Sequence, residues 1–276
     1  MTGVQTCALP IFRAIRERGN PSALGLDTRV EYVPEAFARH HIEAGGPADA
    51  VRAFNFALLD GLRDLIPCVK VQAAYYERMG LPGLSCMYDT VAEARRLGYV
   101  VILDAKRGDI GATAAAYSEA YLASDAPLAA DFLTVNPYLG SDGVTPFVDD
   151  CCTSGRGIFV LVKTSNPSSG EFQDLTVGDG RALFEHVGAK VGEWGAGFVG
   201  SEGYSSVGAV VGATYPDQGE RLRRRMPHTF FLLPGYGAQG ASAKALAGCF
   251  DASGGGAVVA ASRLNQIGRA SCRERV

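Results

Sequence analysis

Eight short runs rich in β-branched and other apolar residues recur along the 276-residue chain, separated by longer Ala-, Leu- and Arg-rich stretches. This alternation limits the possible folds more than any other property of the sequence. The strand candidates are Ala23 to Asp27, Cys68 to Gln72, Val100 to Asp104, Phe132 to Asn136, Gly157 to Lys163, Val207 to Gly212, Thr229 to Pro234 and Gly256 to Ala261. Between them lie stretches such as Asp49 to Leu65 and Ala112 to Ala123, where apolar residues recur near i, i+3 and i+4 as on a helix face. Strands that alternate with helices pair in parallel, and eight such units predict a TIM (β/α)8 barrel, an α/β domain over residues 13–265. An open doubly wound sheet is the rival. Its first turn would normally carry G-x-G-x-x-G, whereas this chain has Asp27-Thr28-Arg29-Val30 there.

The partner expected on composition is a small molecule. Acidic and basic residues are interspersed and sum to a net charge of −3, so no broad basic surface for nucleic acid is expected. No apolar run approaches the ~20 residues needed to cross a bilayer. The seven cysteines form no C-x-x-C pair and read as reduced core residues of a cytoplasmic protein. The four histidines lack H-x-H, H-E-x-x-H or Cys/His spacing, so no metal site is predicted.

Active sites on this fold are built at the C-terminal ends of the strands, so polar residues there are the candidates. On the third strand, alternation puts Asp104 and Lys106 on one face, pointing into the barrel mouth, and Asp109 follows close to the same ammonium. On the second, Val69 and Val71 face the helices, which turns Lys70 inward, where it needs a counter-charge. Spacing alone leaves two explanations of Lys70, Asp104, Lys106 and Asp109 equally open. One is a structural ion-pair network and the other a catalytic array.

The run Asp104-Ala-Lys106-Arg-Gly-Asp109-Ile-Gly-Ala-Thr113 is similar to the D-x-K-x-x-D-I-x-x-T signature of orotidine 5'-phosphate decarboxylases, most closely the bacterial subgroup with D-A-K-R-G-D-I. Further matches follow in order: Gly25-Leu-Asp27, Lys70, Asn136-Pro-Tyr, Lys163-Thr-Ser165-Asn-Pro167, Pro234-Gly-Tyr-Gly-Ala-Gln239-Gly240 and Ser262-Arg263. The resemblance implies conversion of orotidine 5'-phosphate to uridine 5'-phosphate and CO2, in de novo pyrimidine biosynthesis and without a cofactor. Lys106 would deliver a proton to pyrimidine C6 between Asp104 and Asp109. Lys70 would link Asp104 to the ribose, and Asp27 would accept the ribose 3'-hydroxyl. Asp109 and Thr113 would reach across a homodimer interface into a shared site, Ser165 would meet the pyrimidine, and Gln239 would bridge base and phosphate.

Barrels often bind phosphate with the loops after strands seven and eight. Here Gly235, Gly237 and Gly240 allow close backbone approach, and Arg263 offers a forked donor. The polar loop from Ser165 to Gln173 is placed to close over the base. Arg221, Arg223, Arg224 and Arg225 read as the solvated face of a helix.

Two rival functions remain: a magnesium-dependent phosphosugar enzyme of the same superfamily, and an inactive barrel that binds a nucleotide or a protein. The former would place an acidic ligand where Lys70 stands. Residues 1–12 and 267–276 resemble translated sequencing-adapter read-through and are expected to be foreign to the fold. The barrel would then lack its last helix and some of its stability.

Overall fold

The computed structural model describes residues 10–236 and 243–262, apart from the side chains of residues 152 and 243. The predicted barrel is present: β1 to β8 pair in parallel, each with its neighbour in sequence, and β8 closes onto β1. The strands are β1 (Ser22–Leu26), β2 (Cys68–Gln72), β3 (Val100–Arg107), β4 (Phe132–Val135), β5 (Gly157–Lys163), β6 (Ser205–Val211), β7 (Thr229–Pro234) and β8 (Ala257–Ala261). The largest departure from the sequence reading is β3, which runs three residues past Asp104.

The helices are α1 (Pro10–Arg18), α2 (Glu35–Gly45), α3 (Pro47–Leu62), α4 (Ala73–Glu77), α5 (Gly80–Arg96), α6 (Gly111–Leu122), α7 (Ser141–Ser154), α8 (Gly170–Gln173), α9 (Leu183–Gly195), α10 (Pro216–Arg225) and α11 (Ala243–Leu246). Proline supports the starts of α3 and α10, where its missing N–H leaves no intrahelical bond unmade. The expected absence of a helix after β8 concerns residues outside those described. Among the described residues no helix is long and apolar enough to cross a membrane.

Alternation along the strands sorts the core into two layers. Leu24, Leu26, Val69, Val71, Leu103 and Leu133 face outward into the cluster shared with the helices. Ala23, Cys68, Ile102, Phe132, Phe159 and Phe230 face inward and fill the lower barrel. The rings of Phe132 and Phe159 stack at 4.8 Å. A Cβ on Gly157 would lie 2.5 Å from Phe132, and one on Gly208 2.7 Å from Phe159, so these glycines make room for the aromatic floor. From below, α1 closes the barrel with buried Ile11, while Phe12 packs edge-on to Phe230 at 4.9 Å.

Cys68, Cys86, Cys151 and Cys249 are buried, and burial pushes the Cys86 and Cys249 thiols up to about 11. Arg223 corrects the reading of the arginine cluster as a solvated face. It is 7% exposed, donates to the carbonyls of Cys249, Met226, Thr229 and Gly256, and lies over Phe231 at 3.8 Å. The reason is helical spacing: Gly219, Leu222, Arg223 and Met226 share the face that α10 buries. Arg221 and Arg225 flank the buried carboxylate of Glu185, and Arg224 pairs with Glu220.

Candidate active site

Above the aromatic floor the inward positions become polar. A cavity of ≈ 460 Å³ opens there, its walls including Asp27, Lys70, Asp104, Lys106, Thr134, Ser165, Gly235 and Ser262. Lys70 stands beside Gly25 on β1 and Ile102 on β3 in the ladder, two positions above Cys68. Its ammonium, almost wholly buried, donates to Asp104 Oδ2 at 2.9 Å and to Gln72 Oε1 at 3.1 Å, and lies 3.5 Å from Asp27 Oδ1. The other oxygen of Asp104 takes the Lys106 ammonium at 2.6 Å and the Thr134 hydroxyl at 3.0 Å. The charges therefore alternate Asp27, Lys70, Asp104, Lys106.

Burial opposes both charges of the inner pair. It acts to lower the Lys70 pKa, but Asp104 and Asp27 outweigh it and hold Lys70 above its ordinary value. It acts to raise the Asp104 pKa, but Lys70 and Lys106 hold that carboxyl well below the usual carboxylate range. Two ions of one sign would not survive here. The alternation lets a buried lysine and a buried aspartate both remain charged.

Lys106 is the one non-glycine residue with positive φ among those described, at 48°. The β3–β4 register shifts between Leu103 and Arg107, and the Lys106 N–H leaves the ladder to donate to Thr134 Oγ1 at 2.9 Å. Such a conformation costs about 1–3 kcal/mol and persists where surrounding contacts enforce it. Here Thr134 supplies the contact and Asp104 fixes the tip.

Asp27 is different in kind. Its Oδ1 is buried and has no hydrogen bond of ordinary length, its neighbour being the Lys70 ammonium at 3.5 Å. The exposed part of the side chain, with the other carboxylate oxygen, is what faces the cavity.

The sequence matches the Orotidine 5'-phosphate decarboxylase / HUMPS family over residues 49–263. It is 44% identical to the orotidine 5'-phosphate decarboxylase of Rhodopirellula baltica, with 94% of this chain and 88% of that one aligned. The Clostridium novyi enzyme of that name is 40% identical over 92% of this chain and 86% of its own. The solved structure of Leishmania donovani OMP decarboxylase superposes with a TM-score of 0.73 at 33% identity, covering 92% of this chain and 89% of that one. The chain belongs to the orotidine 5'-phosphate decarboxylase family.

Of the residues that the family signature singles out, Asp27, Lys70, Asp104, Lys106, Ser165 and Gly235 converge on one cavity. Gly235 has φ 99°, a conformation that suits glycine, and a Cβ on Gly25 would strike the Ser262 side chain across the β1–β8 seam. Gly237, Gln239, Gly240 and Arg263 lie outside the described residues.

Asp109 departs from expectation. Within one chain it does not approach the Lys106 ammonium, whose ion pair is with Asp104; its Oδ1 instead accepts the N–H of Ile110 at 2.8 Å. The strand ends at Arg107, and Gly108, against the backbone of Asn136, turns the chain outward. Asp109 is half-buried there, and Thr113, in the first turn of α6, is exposed. Exposed Ile110, Tyr138 and Leu139 belong to the same two strand-end loops.

Two contributors escaped the sequence reading. Thr134 is the inward residue two positions above Phe132, so the alternation that selects Asp104 would have found it. The Lys163–Asp174 pair had no such signal. Lys163 continues the inward series of β5, but the register against β6 shifts between Leu161 and Lys163. Its fully buried ammonium bonds to Asp174 Oδ1 at 2.9 Å and lies 4.5 Å from the Tyr215 ring centroid. The loop between them carries Ser165 and is pinned further: Gln173 Oε1 accepts the Thr164 N–H, and its Nε2 donates to Thr164 Oγ1.

Proposed function

We propose that this protein is an orotidine 5'-phosphate decarboxylase, forming uridine 5'-phosphate and CO2 in de novo pyrimidine biosynthesis in the cytoplasm. The observation that carries the reading is the alternating Asp27–Lys70–Asp104–Lys106 array at the barrel mouth. The relatives named above bear that activity in their names.

The C6–carboxylate bond breaks heterolytically, CO2 leaves, and the electron pair stays on C6. A carbanion there has no electron sink, so nearby fixed charge must stabilise it. At 4 Å and an effective dielectric of ~20, one ammonium contributes about 4 kcal/mol, and a preorganised one needs no solvent rearrangement. Lys106 then gives its proton to C6 and recovers one from solvent. No step requires a cofactor. Asp104 holds the Lys106 ammonium in place, and Lys70 joins that carboxylate to the sugar. Asp27 receives the ribose 3'-hydroxyl on the carboxylate oxygen that faces the cavity. Ser165 contacts the base, and Gln239 bridges base and phosphate. Gly235, Gly237 and Arg263 grip the phosphate, whose binding energy aligns the reacting ring.

Asp109 and Thr113 serve the neighbouring site of a homodimer. Their outward placement and the exposed apolar residues on the adjoining loops favour this over a role within their own chain. Lys70 stands where the magnesium-dependent alternative would need an acidic ligand.

The test is the loss of orotidine 5'-phosphate absorbance without added metal or cofactor, run beside Lys106→Ala. Turnover by the wild type, with loss of turnover but retained uridine 5'-phosphate binding in the variant, is expected. Dependence on magnesium, or undiminished turnover by Lys106→Ala, would overturn the reading.

A further inference from the structure

Behind Asp27, away from the cavity, lies a buried polar chain that the chemistry above does not use. Asn55 on α3, Tyr76 on α4 and Thr90 on α5 have no exposed surface, and Thr28 is 2% exposed. The Thr28 hydroxyl donates to Asn55 Oδ1 at 2.6 Å. Asn55 Nδ2 donates to the Tyr76 hydroxyl at 2.9 Å and to Thr90 Oγ1 at 3.3 Å. The Tyr76 hydroxyl donates in turn to the carbonyl of Leu26 at 3.3 Å. One amide thus uses its oxygen and both hydrogens. The chain begins at the residue after Asp27 and ends at the residue before it.

This enclosure matters because Asp27 lies beyond the last paired residue of β1, where the ladder with β2 ends at Leu26 and Val71. No strand partner fixes its backbone, and a buried ammonium stands 3.5 Å from its carboxylate. A flexible carboxylate so placed would close onto the ammonium and turn with it, drawing its second oxygen away from the cavity. We propose that Asn55 and Tyr76, acting through Thr28 and the Leu26 carbonyl, are positioning residues that hold Asp27 short of Lys70 and so keep one carboxylate oxygen for a ligand hydroxyl. The proposal rests on the reading of Asp27 as acceptor of the ribose 3'-hydroxyl and deepens it. Specificity for that hydroxyl originates in three helices behind the barrel wall, while the cavity itself supplies one carboxylate.

The experiment compares dissociation constants of uridine 5'-phosphate and 3'-deoxyuridine 5'-phosphate by calorimetry, with melting temperatures measured in parallel. Thr28→Val keeps shape but removes the donor, Thr28→Ser keeps the donor, and Tyr76→Phe cuts the chain at its other end. The wild type is expected to prefer the 3'-hydroxyl nucleotide, and Thr28→Val and Tyr76→Phe to reduce that preference about tenfold, the scale of one hydrogen bond to a charged acceptor. Their affinity for the 3'-deoxy nucleotide stays unchanged, and Thr28→Ser retains the full preference.

Equal losses for both nucleotides, or no loss with either, would show the chain to be structural support only. Tyr76→Phe decides the matter should Thr28→Val fail to fold. Asp27→Ala separates the two levels. If it abolishes the preference while Thr28→Val and Tyr76→Phe do not, only the positioning role fails. If it leaves the preference intact, the assignment of Asp27 fails and the positioning role with it.

Discussion

Lys163, with no exposed surface, gives its ammonium to Asp174 at 2.9 Å and thereby joins the end of β5 to the far end of the loop that β5 begins. The loop's two ends are held together by a charge pair with one partner inside the protein and the other 39% exposed. This asymmetry predicts unequal effects of removing the partners. Asp174→Ala strands a buried ammonium and costs about 2 kcal/mol, at the low side for a broken buried pair because solvent reaches the vacated site. Lys163→Met leaves only a surface carboxylate and costs less. Urea unfolding of the two variants measures the order, and a more stable Asp174→Ala would contradict it.

The charge array makes a prediction about acid stability. Asp104 is held below the usual carboxylate range, so its contribution is present above its unfolded value and is lost as pH falls toward its folded one. The stability gap between wild type and Asp104→Asn is expected to be level from about pH 7 to 5 and to narrow below about 4. Denaturant titrations across that range provide the check. A gap that persists undiminished to pH 2 would mean that the carboxylate is not stabilised by its lysines.

Positive φ at Lys106 separates strain from chemistry. Lys106→Ala and Lys106→Gly both lose the ammonium, but only glycine adopts φ 48° without a Cβ penalty. The glycine variant is expected to be the more stable by about 1 kcal/mol, with both inactive. Thermal melts paired with turnover assays read out both quantities. An alanine variant as stable as the glycine one would show that the backbone relaxes once the side chain is gone.

A shared site predicts complementation. Lys106→Ala and Asp109→Ala chains are each expected to be nearly inactive alone. Mixed and allowed to exchange, they form hybrids in which one site regains both residues, giving about a quarter of wild-type activity when assortment is random. Silence after demonstrated subunit exchange would place Asp109 outside the neighbouring site.

Arg223 and Arg224, adjacent in sequence, are expected to differ widely. Arg223→Met abandons four carbonyls behind β7 and is expected to lose about 3 kcal/mol or more, whereas Arg224→Ala stays within about 0.5. Comparable losses in the two variants would refute the structural role given to Arg223.

These cases show what the sequence makes legible. Period-two alternation places Lys70 and Asp104 because strand geometry transmits it without reference to the rest of the fold, whereas Lys106 reaches the same mouth across a register shift that Thr134 and Asp104 hold in place. The same rule, applied to β4, contains Thr134. It fails at Lys163, where a register shift overrides parity, and at Asp109, where the strand has ended and Gly108 redirects the chain. At Arg223 helical spacing outweighs charge, and the guanidinium lies on the buried face of α10. The chain from Thr28 through Asn55 to Tyr76 and Thr90 joins a strand end to three helices, and no local pattern announces contacts made across such sequence separations.

The two-layer alternation also governs how this protein can change over generations. An inward residue can be exchanged without disturbing its own strand neighbours, which face the helices, and answers only to the inward residues it meets across the barrel. A single-residue insertion within a strand would instead turn every later side chain of that strand to the opposite layer, moving a catalytic charge into the helical packing and a valine into the cavity. Length variation among descendants should therefore collect in the segments between strands, while the strands themselves diverge by substitution alone.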